Sequence, residues 1–245
     1  MSRISSVILI DYPQRMLNEF GPNIWIADGT DVVAAMGFRY PTRMAVIRLA
    51  NGDLFIWSPT ALTATLCAAV DRLGPVRHLV APNSLHHVFL PDWKLAYPEA
   101  LVYAAPGLRQ KRKDIVFDRD LSETPEASWA GEIDQAVMNG NAITTEVVFF
   151  HLPSGTVLFT DLLQRFPADW FTGWRGIVAK LDLMVAPEPT VPRKFRVAFT
   201  QRKAARPALS RVLSWPAEKV VMAHGTPVIA DGQAFLRRAF AWLSG

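Results

Sequence analysis

Residues 76–87 read VRHLVAPNSLHH. The first six form an apolar run of the length expected for a buried strand. Two imidazoles, His86 and His87, follow it. Two further runs end in the same way. TVLFTD, residues 156–161, finishes on Asp161, and VVMAHG, residues 220–225, delivers His224 just before Gly225. Chemistry in sheet proteins gathers where strands end and loops begin. Three imidazoles and one carboxylate placed at strand ends can converge on one metal ion. Plainer roles compete with that reading. Adjacent residues on an extended strand point to opposite faces, so His86 and His87 share a metal only if the backbone turns there. Asp161 can serve as a turn or helix cap. His78 and His151 lie in or at the end of apolar runs and read as structural.

The neighbouring sequence supplies the elements around these runs. Residues 44–50 and 53–58 flank Asn51-Gly52, a strong hairpin signal because both residues tolerate positive φ. Ser58-Pro59 reads as a helix start, with Ser as cap and Pro in the first turn. Leu62, Leu66, Val70 and Leu73 continue it at helical spacing, and Gly74-Pro75 ends it. A strand is expected at residues 100–104. A second hairpin is expected from residues 146–151 and 156–160 around Pro153-Ser154-Gly155, then a strand at 219–223. An amphipathic helix over 232–243 closes the chain. Strands that occur both in hairpins and in strand–helix alternation suggest two mixed sheets with outer helices.

NIWIADG, APNSLHH, LFTDLL and AHG, in that order from residue 23 onward, resemble the metallo-β-lactamase fold. More closely, they resemble a bacterial family of uncharacterised proteins on it. The resemblance runs from about Asn23 to Trp242 and implies a four-layer αββα sandwich. It also implies a damaged metal motif. The superfamily's Thr-His-x-His-x-Asp-His falls on residues 81–87, so its first two histidines become Pro82 and Ser84. Its aspartate becomes His86, and its last histidine is His87. The region 141–146 lacks the later histidine, whereas Asp161 and His224-Gly225 match the bridging aspartate and the final His-Gly. The resemblance thus strips the first metal position and keeps the second. It implies one divalent ion, zinc or iron, on His86, His87, Asp161 and His224, with Asp161 and His87 as catalytic candidates.

The 245 residues are read as one metallo-β-lactamase-like domain, 1–245, half of it hydrophobic. No run of 18 apolar residues suggests a spanning helix, so no membrane partner is expected. Val7-Ile8-Leu9-Ile10 is too short for a signal-peptide core. The lone Cys67 excludes an internal disulfide and fits a reducing compartment, so a cytoplasmic location is expected. Residues 189–217 contain Arg193, Lys194, Arg196, Arg202, Lys203, Arg206 and Arg211 and no acid. Such a run raises the local concentration of anions. Arg193, Arg196 and Arg202 are therefore candidates for binding an anionic small-molecule substrate, against the alternative of a solvated helix face. Phe166, Trp170, Phe171 and Trp174 either line a pocket or pack in the core.

Imidazole with carboxylate suits zinc or ferrous iron. The leading expectation is therefore a mononuclear metal-dependent hydrolase of an ester, thioester, lactone or phosphodiester. The alternatives are a catalytically degenerate ligand- or protein-binding relative and, behind it, a nucleic-acid-binding protein. A homo-oligomer is left open.

Overall fold

Asn51-Gly52 turns the chain as its composition requires: Gly52 adopts φ +90° in the computed structural model, which describes residues 17–244. The Val7–Ile10 run lies outside the described residues. Asn18–Gly21 (β1) and Ile24–Asp28 (β2) lead into a small hairpin of Val32–Val33 (β3) and Arg39–Tyr40 (β4). Arg43–Arg48 (β5), Leu54–Trp57 (β6), Val76–Ala81 (β7), Leu101–Ala104 (β8) and Arg119–Asp120 (β9) follow. Apart from β3 and β4, these strands form one mixed sheet in the order β1-β2-β5-β6-β7-β8-β9. Ile133–Met138 (β10), Glu146–His151 (β11), Thr156–Gln164 (β12) and Lys219–His224 (β13) form a second sheet in sequence order.

Both sheets are buried on two faces, which is why their strands read as continuous apolar runs. Alternate side chains serve different layers. Ala45, Ile47, Phe55, Trp57 and Val80 meet Ile133, Val147, Phe149, Leu158 and Val221 between the sheets. Met44, Val46, Leu54, Ile56 and Leu79 point outward onto Ala64–Asp71 (α1), Leu90–Ala96 (α2) and Leu108–Lys111 (α3). On the other outer face, Val148, Phe150, Val157, Phe159, Val220 and Met222 pack under helices. After Gly173–Leu181 (α4), these are Arg193–Ala198 (α5), Arg202–Ser214 (α6), Gly232–Ala239 (α7) and Ala241–Ser244 (α8). The result is the four-layer αββα sandwich. Among the described residues, no helix is long and apolar enough to cross a membrane.

Two expected boundaries move. The helix expected at Ser58-Pro59 starts at Ala64, where Thr63 Oγ1 accepts the Leu66 N–H at 3.1 Å. Ser58 cannot cap it because its hydroxyl is committed to His86, 2.8 Å away. The closing helix is two pieces that part at Phe240. The basic stretch forms α5 and α6, and Phe166 and Phe171 pack together with Met184 in a small apolar cluster.

Candidate metal centre

Parallel pairing puts the carboxyl ends of β6 and β7 at one rim of the large sheet and the end of β13 at the rim of the small one. β12 runs beside β13 in register as far as Phe159 and resumes at Gln164. Residues 160–163 therefore bulge from the ladder, which re-aims Asp161. These ends bring together His86, Asp161 and His224. Their ligand atoms lie within 4.8 Å of one another, and no other such group of His, Cys, Asp and Glu occurs among the described residues. His86 Nε2 lies 3.2 Å from Asp161 Oδ2, and His224 Nε2 lies 3.5 Å from Asp161 Oδ1.

Each member is held from behind. His224 Nδ1 donates to the Pro41 carbonyl at 2.7 Å. A carbonyl only accepts, so Nδ1 carries a proton and Nε2 is the ring atom turned to Asp161. Arg43 grips the backbone on both sides of that histidine, donating to Met222 O at 2.8 Å and to Gly225 O, while Asp28 anchors the guanidinium at 2.8 Å. His86 Nδ1 meets Ser58 Oγ, on a residue whose φ is +51°. Asn83, fully buried, ties the His86 loop to the aspartate. Its Nδ2 donates to Asp161 Oδ2 at 2.7 Å and to Thr160 Oγ1 at 2.8 Å. Its Oδ1 accepts the N–H groups of Leu85 and His86. Glu146, also fully buried, accepts the N–H groups of Thr160, Asp161 and Leu162 at 2.7, 2.8 and 3.1 Å, and so holds the bulge.

The charges follow from this packing. Burial alone would raise the Asp161 carboxyl, but His86 and His224 outweigh it and hold the group well below the usual range. Burial lowers His86. Burial and then the Asp161 charge push Glu146 up to about 7, against its backbone donors.

His87 does not join the cluster. Its Nδ1 lies 2.6 Å from Arg112 Nη1, and Arg112 is braced by Asp114. Burial, followed by the charges of Arg112 and Lys111, lowers His87 to about 4. Arginine only donates, so neutral His87 carries its proton on Nε2. It still lines the cavity that contains His86, Asp161 and His224, a space of about 530 Å³. The arginines read as substrate-binding do not line it. Arg193 is exposed; Arg196 bonds Val191 O and Thr190 Oγ1; Arg202 lies over Trp242. Of the basic run only Lys194 reaches the wall, because α5 turns its neighbours away. Where the resemblance placed the lost histidines, Ser84 Oγ bonds Thr144 Oγ1 at 3.1 Å, and Pro82 O accepts the Val147 N–H at 2.8 Å. Asn83, Glu146 and Arg43 were not singled out in the sequence, and Ser58 was read only as a helix cap. Pro82-Asn83-Ser84, with its turn-forming asparagine, is the signal that points to one of them.

Solved structures with this fold are numerous. A metallo-beta-lactamase from Pontibacter korlensis matches with TM-score 0.61 at 12% identity, over 95% of this chain and 100% of its own. A metallo beta lactamase from Hirschia baltica matches with TM-score 0.61 at 10% identity, over 95% and 98%. FIM-1 from Pseudomonas aeruginosa in the mono-zinc form matches with TM-score 0.60 at 12% identity, over 95% of each chain. At these identities the likeness is one of fold. No curated protein matches the sequence. Residues 22–172 match the family described as a domain of unknown function (DUF4336), and the chain belongs to that family.

Proposed function

We propose that this protein is a hydrolase working with one divalent cation held by His86, Asp161 and His224. The observation that carries this reading is the convergence of His86 Nε2, His224 Nε2 and the Asp161 carboxylate, whose ligand atoms lie within 4.8 Å of one another. With Nδ1 of His224 spent on Pro41 O, Nε2 is the ring atom left to ligate, 3.5 Å from Asp161 Oδ1. His86 likewise turns Nε2 to Asp161, 3.2 Å away, while its Nδ1 meets Ser58. Two imidazoles and a carboxylate are a donor set for zinc or ferrous iron, and three protein ligands leave a coordination position open. The ion, when bound, would supply a hydroxide at neutral pH by lowering the pKa of its water to about 7.

The chain's own residues do the rest. Pro41 O and Ser58 fix the two rings, and Asn83 and Glu146 fix the carboxylate and its strand. This second layer of hydrogen bonds orients ligands and raises their basicity. His87 offers an Nε2–H at the edge of the same cavity, where a donor polarises a carbonyl. The substrate class is an ester, thioester, lactone or phosphodiester.

The test is metal content and hydrolysis measured together. Zinc- or iron-loaded protein should hydrolyse p-nitrophenyl esters. His224→Ala should lose ion and activity together, and activity that survives chelation would refute the reading.

A further inference from the structure

The cavity wall states what kind of molecule it receives. Outside the His86–Asp161–His224 cluster, each polar side chain on it has a partner within the protein, and His87 keeps only its Nε2 free. Thr42 donates to Thr30 O, and Ser58 meets His86. Lys194 is 3.0 Å from Tyr40 Oη and 3.4 Å from Asp182, and His87 meets Arg112. The rest of the wall is predominantly aliphatic and aromatic. Val33, Leu85, Val88, Ile143 and Val178 line it and yet stay open to solvent, Val33 by 71% and Val88 by 53%. The surface continues outside the mouth. On α4, Trp174, Ile177, Val178 and Leu181 recur at i, i+3, i+4 and i+7 and are all exposed, an apolar stripe turned to water. Contiguous exposed apolar surface that runs into a cavity marks a binding site.

We infer that the substrate carries one aliphatic acyl chain, seated along Val88, Ile143, Val178 and Val33, with its ester or thioester carbon at the metal cluster. This rests on the hydrolase reading for the bond that is cut, but not for the chain that is bound. A sugar, a nucleobase or a phosphate would find few unpartnered groups here, and leaving its own polar groups unpaired would cost it affinity. A flat protein partner would cover the rim but leave the interior empty. A flexible chain enters a cavity of about 530 Å³, within the ~300–1,000 Å³ common for small-ligand sites. Its far end can lie on the α4 stripe. Hydrolysis would break the acyl carbon–oxygen or carbon–sulfur bond, add the elements of water, and release a carboxylic acid and an alcohol or thiol.

Straight-chain alcohols from butanol to decanol are neutral, non-hydrolysable probes. Their binding to the full chain is to be measured by calorimetry, before and after chelation, beside hydrolysis of p-nitrophenyl acetate and decanoate. Each added methylene is expected to tighten binding roughly threefold to fourfold. Ile143→Asp and Val178→Asp lie at exposed positions and leave the core intact. Each is expected to weaken decanol binding about tenfold or more and butanol binding less than twofold. A dissociation constant independent of chain length, or unmoved by both variants, would overturn the inference, as would variants that change only the oligomeric state. Chain-length dependence without any hydrolysis would support the acyl site while removing the hydrolase reading. Hydrolysis without chain-length dependence would do the reverse.

Discussion

Asn83 donates to the Asp161 carboxylate at 2.7 Å while its carbonyl oxygen accepts the His86 N–H at 2.9 Å. One amide therefore sets the distance between two residues 75 positions apart in the chain. Asn83→Ala is expected to lower zinc affinity about 10–100-fold, the usual cost of losing an outer partner of a metal ligand. Competition with a chromophoric chelator measures this. Affinity within twofold of the parent protein would show that Asn83 only packs.

Arg43 acts on the other histidine. It donates to the carbonyls of Met222 and Gly225, on either side of His224. Arg43→Met keeps the stem and removes the charge-assisted bonds, each of which is worth about 1.5–3 kcal/mol. Urea unfolding of the chelated protein is expected to show a loss of that order, and zinc affinity should fall as well. A stability loss with unchanged affinity would assign Arg43 to the fold alone.

His78 and His151 lie away from the cluster, and burial lowers each from 6.5 to about 4. His151 Nε2 has no partner, and His78 Nδ1 meets Tyr103. Below pH 6.5 the unfolded chain takes up these protons and the folded chain does not. Stability should therefore be unaffected by them above pH 6.5 and fall as the pH drops from 6.5 to 4. His151→Asn is expected to flatten this slope by at most ~1.4 kcal/mol per pH unit. An unchanged slope in urea titrations between pH 6.5 and 4.5 would mean that His151 is protonated in the folded state.

The arginines of the basic run are expected to be bystanders. Arg193→Glu with Arg202→Glu changes four units of charge on α5 and α6, and neither side chain lines the cavity. Metal content and alkanol binding should match the parent protein. A tenfold change in either would restore an anion-binding role to this segment.

The fold was legible because burial on both faces writes itself as continuous apolar runs. Residues 76–81 and 219–223, and both hairpins, stand where their composition places them. The helix at Ser58 was misread because Ser-Pro has the same composition as a cap and as a strand end. Only the contact with His86 distinguishes the two. Which of His86 and His87 faces Asp161 cannot follow from strand alternation, because the backbone between Asn83 and His86 is a turn closed by the asparagine side chain. Glu146 was hidden for a different reason. A carboxylate at the start of an apolar strand gives no sign in sequence that three backbone N–H groups from another strand will meet it. The basic run drew attention by charge alone, and charge carries no information about which way a helix faces.

Metal content of protein purified without chelators is the most direct measurement. Close to one zinc or iron ion per chain is expected, reduced to near zero in Asp161→Ala and in His224→Ala and retained in His87→Ala. No ion in the parent protein after incubation with excess zinc and iron, or two ions per chain, would contradict a single site on His86, Asp161 and His224.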